Sequence, residues 1–199
     1  MVDLPCLLKN IRACRACEED LPFGANPVVQ ASETAKIVIA GQAPGLAVHK
    51  SGVPFDDPSG DRLRHWMGVG KDVFYNDALI NIIPMGFCYP GSMSKGGDKP
   101  PHPHCRELWH DKIFALKKPE LILVIGAYAI NYHIAQKIHS KKTIAVTEAV
   151  KNWRNYGPVV IPLPHPSPRN IFWFKRNPWF EEELLPDLKQ RLSMALQKS

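Results

Sequence analysis

The sequence predicts an α/β protein, a three-layer α/β/α sandwich around a central, mostly parallel sheet of four strands. Three observations carry that reading. Four short apolar runs recur along the chain, each continuous and not alternating, as strands buried on both faces require. Stretches with helical spacing lie between them. The resulting order of strand, helix, strand, helix is the one that right-handed crossovers between parallel strands produce.

Taken in order, the strands are Ile37-Val38-Ile39-Ala40, then 79–83 (Leu79-Ile80-Asn81-Ile82-Ile83), 121–125 (Leu121-Ile122-Leu123-Val124-Ile125) and 159–163 (Val159-Val160-Ile161-Pro162-Leu163). The helices fall at 61–67, 103–116, 127–138, 147–155 and 178–196, with Pro186 set to kink the last of these. Between the second strand and the second helix, residues 89–101 hold too much glycine and proline for regular structure. Long loops in compact domains are usually functional or disordered. This one has a cysteine near each end, so a metal would clamp it.

Composition narrows the function classes. A chain of 199 residues suits one domain spanning 1–199. Hydrophobic residues at 45% and charged residues at 22% are globular proportions, and no apolar stretch reaches the ~20 residues of a membrane span. The opening residues carry Asp3 where a signal peptide carries basic side chains, so the expected location is cytoplasmic. Lysine and arginine exceed aspartate and glutamate by 25 to 19, which permits a polyanionic partner without requiring one. Five cysteines are an odd number for a disulfide framework in a reducing compartment, so a metal is the better reason for their grouping. Cys14 and Cys17 form a C-x-x-C pair, Cys88 and Cys105 lie far downstream, and Cys6 is left over. The four grouped thiols suit either an iron-sulfur cluster or structural zinc.

Two rigid turns follow strand carboxyl ends, the edge where open α/β sheets bind ligands. The first is Gly41-Gln42-Ala43-Pro44-Gly45 and the last is Pro164-His165-Pro166-Ser167-Pro168-Arg169-Asn170. Either alone reads as an ordinary turn; together they suggest a pocket. Phe55 sits in a loop flanked by proline, aspartate and glycine, off any periodic apolar face, and so is free to stack on a planar ligand. Asn81 interrupts an apolar strand, and its buried amide needs partners, either a ligand's edge or the protein itself. His165 is rigidly mounted between two prolines. Arg169, Lys175 and Arg176 surround Phe172, Trp173 and Phe174, a mixture suited to phosphates plus an apolar wedge, although the tryptophans equally suit packing against the last helix.

In order and spacing, Gly41-Gln42-Ala43-Pro44-Gly45, Ser51-Gly52-Val53-Pro54-Phe55, Pro58-Ser59-Gly60, Asn81 and His165-Pro166-Ser167 resemble the uracil-DNA glycosylase superfamily. The cysteine plan is closest to its iron-sulfur, family-four-like members. The resemblance implies a monomeric, monofunctional enzyme of base excision repair that hydrolyses the N-glycosidic bond of uracil or another deaminated base flipped out of DNA. It implies that Gly41, Gln42, Ala43, Phe55, Asn81 and His165 contact the base, with Phe55 stacking for ~1–3 kcal/mol. His165, Gln42 and Asn81 would be the catalytic set, His165 stabilising charge that appears as the bond breaks, for ~3 kcal/mol. Ser167, Arg169, Lys175 and Arg176 would face the DNA. Cys14, Cys17, Cys88 and Cys105 would hold a structural 4Fe-4S cluster, with zinc the alternative. One departure stands out: the family usually carries a carboxylate in the first turn, where this chain has Gln42 followed by Ala43. Glutamine can orient a water but cannot act as its base. A binding module of the same fold with little or no turnover is therefore the alternative. Asp56 and Asp57 are possible substitutes for the acid, but they fit helix capping better.

Overall fold

The structure is a computed structural model that describes residues 3–116, 118–135 and 143–197. Its centre is a sheet of four parallel strands, β1 (Ile37–Ala40), β2 (Ile80–Ile82), β3 (Leu121–Ile125) and β4 (Val160–Leu163), in the order β2-β1-β3-β4. Registers run Ile37 to Ile80 across β1 and β2, Ile37 to Leu121 across β1 and β3, and Ile122 to Val160 across β3 and β4. Every residue of β1, β2 and β3 is buried, as sheets covered on both faces demand. β1 and β3 span the lengths their apolar runs predict. β2 and β4 are shorter at their ends, where Ile83 N–H still bonds Ile39 O but the ladder has closed.

The helices cover the sheet. α1 (Leu4–Arg12) is capped by Asp3, whose side chain accepts from Cys6 N–H, and buries Leu4, Leu7, Leu8 and Ile11 along one stripe. α2 (Leu46–Ser51) and α4 (Lys71–Phe74) are too short to leave a periodic signal. α3 (Pro58–Met67) begins earlier than its apolar spacing suggests, because Asp57 caps it and Pro58 occupies its first turn. The second predicted helix appears as α5 (Pro103–Cys105), a wide π turn over Arg106–His110, and α6 (Asp111–Ala115).

The third appears as α7 (Gly126–Ile130) followed by a π turn over Asn131–Ala135; its expected continuation at 136–138 lies outside the described residues. α8 (Val146–Lys151) gives way to a 3-10 turn at Trp153–Tyr156. α9 (Ile171–Arg176) precedes the last helix, which opens as a π turn (Phe180–Leu184) and continues as α10 (Leu185–Gln197). Pro186 lacks the N–H that an α-helix would bond four residues back, and the wide turn directly before it accommodates that loss. Among the described residues no helix is long and apolar enough to cross a membrane.

Strand order places a topological switch between β2 and β3, the two neighbours of β1. The loops leaving the carboxyl ends of all four strands meet above that point.

Candidate active site

A cavity of about 250 Å³ opens at this edge. The turn after β1 supplies Gly41, Gln42, Ala43, Pro44 and Gly45; the chain after β2 supplies Ile82 and Pro84; Ile125 ends β3; His165, Ser167 and Arg169 follow β4. Phe55 and Asp57 close one side, and Gly97 and Asp98 descend from the 89–101 loop. A larger cleft of about 730 Å³ lies between Met85, Arg106, Tyr132 and Ile144, but His102 and Arg106 are its only charged or titratable lining groups besides Tyr128 and Tyr132, and no carboxylate stands beside them.

Phe55 is held with force. Its φ of 55° is the only left-handed backbone angle of a non-glycine residue among the described residues. Strain of this kind persists only where the surroundings over-determine it. Here they do: Phe55 O accepts from Tyr75 Oη–H at 3.3 Å and Arg64 at 3.4 Å, and the ring meets Phe74 edge-on at 6.1 Å. Arg64, though buried, is itself fixed by Asp61 at 2.6 Å. Gly60 makes the arrangement possible, since a Cβ there would stand 1.8 Å from Phe55 O. Gly41 faces the same ring from the floor, where an added Cβ would lie 3.6 Å from Phe55 Cζ.

His165 is fixed in tautomer as well as in place. Its Nδ1 accepts the Ser167 N–H at 3.2 Å, leaving Nε2 to carry the ring proton when the ring is neutral. Asn170 donates to His165 O at 2.8 Å, and Arg62 donates to Ser167 O at 2.9 Å, tying the loop down. Burial holds the imidazole below its ordinary pKa, against the opposing pull of Asp57 and Asp98. The ring therefore stays neutral at pH 7 and is a donor.

Asn81, expected to contact the base, is not brought to the cavity. Its side chain is wholly buried and turned from the cavity: Oδ1 accepts from Ser32 N–H at 2.8 Å and Nδ2 donates to Ser32 O at 3.3 Å. Side chains alternate along a strand, and Ile82 and Pro84 take the cavity side, which sends Asn81 to the other. Of the two partners open to its amide, the protein is the one realised. Gln42 lines the cavity, while its Nε2 donates to Lys99 O at 2.9 Å. Asp57 accepts from Gly60 N–H at 2.8 Å as the cap of α3, as capping predicts. Asp98 was not singled out by sequence reasoning; nothing in a glycine-rich loop marks it.

Arg169 lines the cavity and is exposed, and Lys175 and Arg176 on α9 are exposed as well, together with Ile171 and Phe172, the latter 69% exposed. Trp173 and Trp179 instead pack with Phe180 and Trp153, as the packing alternative requires.

The cysteines Cys14, Cys17, Cys88 and Cys105 are all unpaired and stand within electrostatic range of one another. Burial, then mutual repulsion, pushes Cys17 up to about 11; burial pushes Cys88 up to about 12 and Cys105 upward. Trp109 Nε1–H reaches Cys14 Sγ at 3.3 Å, and His102 Nδ1 lies 3.2 Å from Cys17 Sγ. Crowded thiols of which Cys17, Cys88 and Cys105 resist ionisation suit a metal, whose charge reverses that cost. Cys17, His102 and His104 also bring their donor atoms within 4.8 Å of one another, a second set that could hold an ion.

The model of the family described as "Uracil DNA glycosylase superfamily" matches residues 28–189, a span that includes every element lining the cavity.

Proposed function

The chain belongs to the uracil-DNA glycosylase superfamily, and from that membership we propose that it is a monofunctional, monomeric DNA-repair glycosylase that hydrolyses the N-glycosidic bond of a deaminated base. The single observation that carries the reading is His165: a neutral, tautomer-fixed donor lining the cavity on the sheet's carboxyl edge.

In this reading a base rotated out of DNA enters the cavity and stacks on Phe55, whose strained backbone and double carbonyl anchorage hold the ring in one position. Gly41, Gln42 and Ala43 form the floor. Gly41 is needed there because a side chain would occupy the space between floor and ring. His165 Nε2–H meets the oxygen of the departing base, and a donor already aimed at charge that exists only in the transition state contributes ~3 kcal/mol. Because the ring is neutral it donates without binding the anionic product too tightly. Arg169, Lys175 and Arg176 neutralise phosphates, Ser167 carries the loop between them and His165, and Phe172, apolar and exposed, would fill the vacated stack. Asn81 has no part in base recognition on this reading, since its amide bonds Ser32 away from the cavity lining.

Cys14, Cys17, Cys88 and Cys105 would hold a 4Fe-4S cluster in a structural role, tying the segment after α1 to both ends of the 89–101 loop. Zinc on the same thiols, or on Cys17, His102 and His104, is the alternative.

Release of free base from oligonucleotides carrying uracil, hypoxanthine or xanthine, single-stranded and opposite each normal base, tests the proposal. Release of at least one base is expected. Tight binding with no release from any would leave a damaged-base binding module, a reading that Gln42 and its commitment to Lys99 O would then explain.

A further inference from the structure

We propose that Asp98, on the hairpin that overhangs the cavity, is the carboxylate that accepts the proton of the attacking water, and that Gln42 is the residue that positions it. The inference rests on the glycosylase reading above and supplies the base that the first turn lacks.

Two carboxylates line the cavity. Asp57 is committed, since its Oδ1 caps α3 through Gly60 N–H. Asp98 comes from the loop whose composition suggests no structure, but whose backbone forms a closed hairpin. Ser92 and Asp98 pair as an antiparallel bridge, Met93 N–H bonds Gly97 O at 2.8 Å, and Lys99 N–H bonds Gly91 O at 2.8 Å. Behind the side chain lies Ser92, whose hydroxyl favours the ionised carboxylate and whose Oγ stands 2.7 Å from Tyr89 Oη, on a buried ring. In front it meets the first turn, where a Cβ on Gly45 would lie 3.8 Å from Asp98 Oδ2, in ordinary contact. Its titratable and charged neighbours are His165 and Arg169 from the loop after β4, and Asp57 from the α3 cap. Burial raises its proton affinity, which brings a carboxylate nearer the range in which a general base works well at neutral pH.

Gln42 gains a task from the same geometry. Its Nε2–H grips Lys99 O at 2.9 Å, one residue beyond Asp98, so the first turn clamps the hairpin at the point that sets the carboxylate over the cavity. A carboxylate at position 42 would face that carbonyl with no proton to offer. A glutamine in the first turn and an acid in the hairpin are thus two halves of one arrangement.

The step balances as a hydrolysis. Water oxygen bonds to the sugar C1′, and the C1′–N bond breaks with its electron pair leaving on the base, whose oxygen His165 Nε2–H stabilises. The water's proton passes to Asp98 and from there to the departing base or solvent.

The test is single-turnover base release across pH on a substrate the wild type cleaves, with Asp98→Asn, Asp98→Ala, Gln42→Ala and the double variant Gln42→Ala/Asp98→Asn. In the wild type, the rate is expected to rise with pH as the Asp98 carboxyl ionises and then level off. Asp98→Asn should be slower by about 10²-fold or more, should lose that rising limb, and should bind uncleaved DNA as the wild type does. Asp98→Ala should regain rate with added formate, a response no merely structural residue would give. Gln42→Ala should be slower in the wild-type background yet add nothing to Asp98→Asn. Asp98→Asn within threefold of wild type, or one that keeps the rising limb, would overturn the inference while leaving the glycosylase reading intact. A wild type that releases no base from any substrate would overturn both.

Discussion

Replacing Gly60 by alanine should damage the site through its backbone. The new Cβ would start 1.8 Å from Phe55 O and 2.8 Å from Phe55 C and Cβ, all atoms of a fixed main chain or its first side-chain atom. Ordinary contact begins at 3.4 Å, so the Phe55 carbonyl must retreat by about 1.6 Å, the difference between 3.4 and 1.8. At that displacement its bonds from Tyr75 (3.3 Å) and Arg64 (3.4 Å) are both lost. A neutral bond contributes ~1 kcal/mol and a charged one ~1.5–3 kcal/mol, so the cost is about 3 kcal/mol. At roughly 2–4 °C per kcal/mol for a domain of this size, the melting temperature should fall by about 6–12 °C. Gly41→Ala is the control: its Cβ meets Phe55 Cζ at 3.6 Å, an ordinary contact, so melting should be unchanged while base release falls because the floor is occupied. Thermal unfolding by circular dichroism reads both. Gly60→Ala melting within 2 °C of wild type would refute the claim that this glycine exists to let Phe55 adopt its strained position.

The remaining predictions concern acid stability and the metal. His110 and His133 form a buried pair, with His133 Nε2 3.1 Å from His110 Nε2 and His110 Nδ1–H bonding Pro84 O at 2.9 Å, and burial pushes His110 down to about 4 from 6.5. Between those values the unfolded chain binds a proton that the folded chain refuses. Stability is therefore full above about pH 6.5 and falls by about 3 kcal/mol as pH drops towards 4, with His165 acting in the same direction. Urea unfolding at pH 7.5 and 4.5 measures this, and equal stability at the two would contradict it. Protein purified without oxygen should carry about four irons per chain, and Cys88→Ser should lose iron and melt earlier. About one zinc per chain would select the alternative metal.

Legibility in the sequence followed physical cause. β1 and β3 were readable to the residue because a strand buried on both faces must be apolar throughout, and glycine bounds each run. α2 and α4 were not, since six and four residues hold less than two turns of pattern. His165 and Phe55 were legible because proline and glycine rigidify their loops. Asn81 shows the limit: residue type signals a buried amide, but which face it takes depends on strand register, and Ser32, forty-nine positions away, claims it. Alternation from Pro84 and Ile82 was the one clue available. Asp98 was hidden for a different reason, since its hairpin forms through pairing of Ser92 with Asp98 and a clamp from Gln42, none of which leaves a periodic trace. The His110 and His133 pair likewise joins two helical segments that only the tertiary fold brings together.

The most direct test of the account is single-turnover release of uracil from an oligonucleotide by wild type and by His165→Ala, with affinity for the same DNA measured alongside. The account predicts release by the wild type and a loss of about 10²–10³-fold in His165→Ala at unchanged affinity and unchanged melting. Release by His165→Ala at the wild-type rate would contradict it.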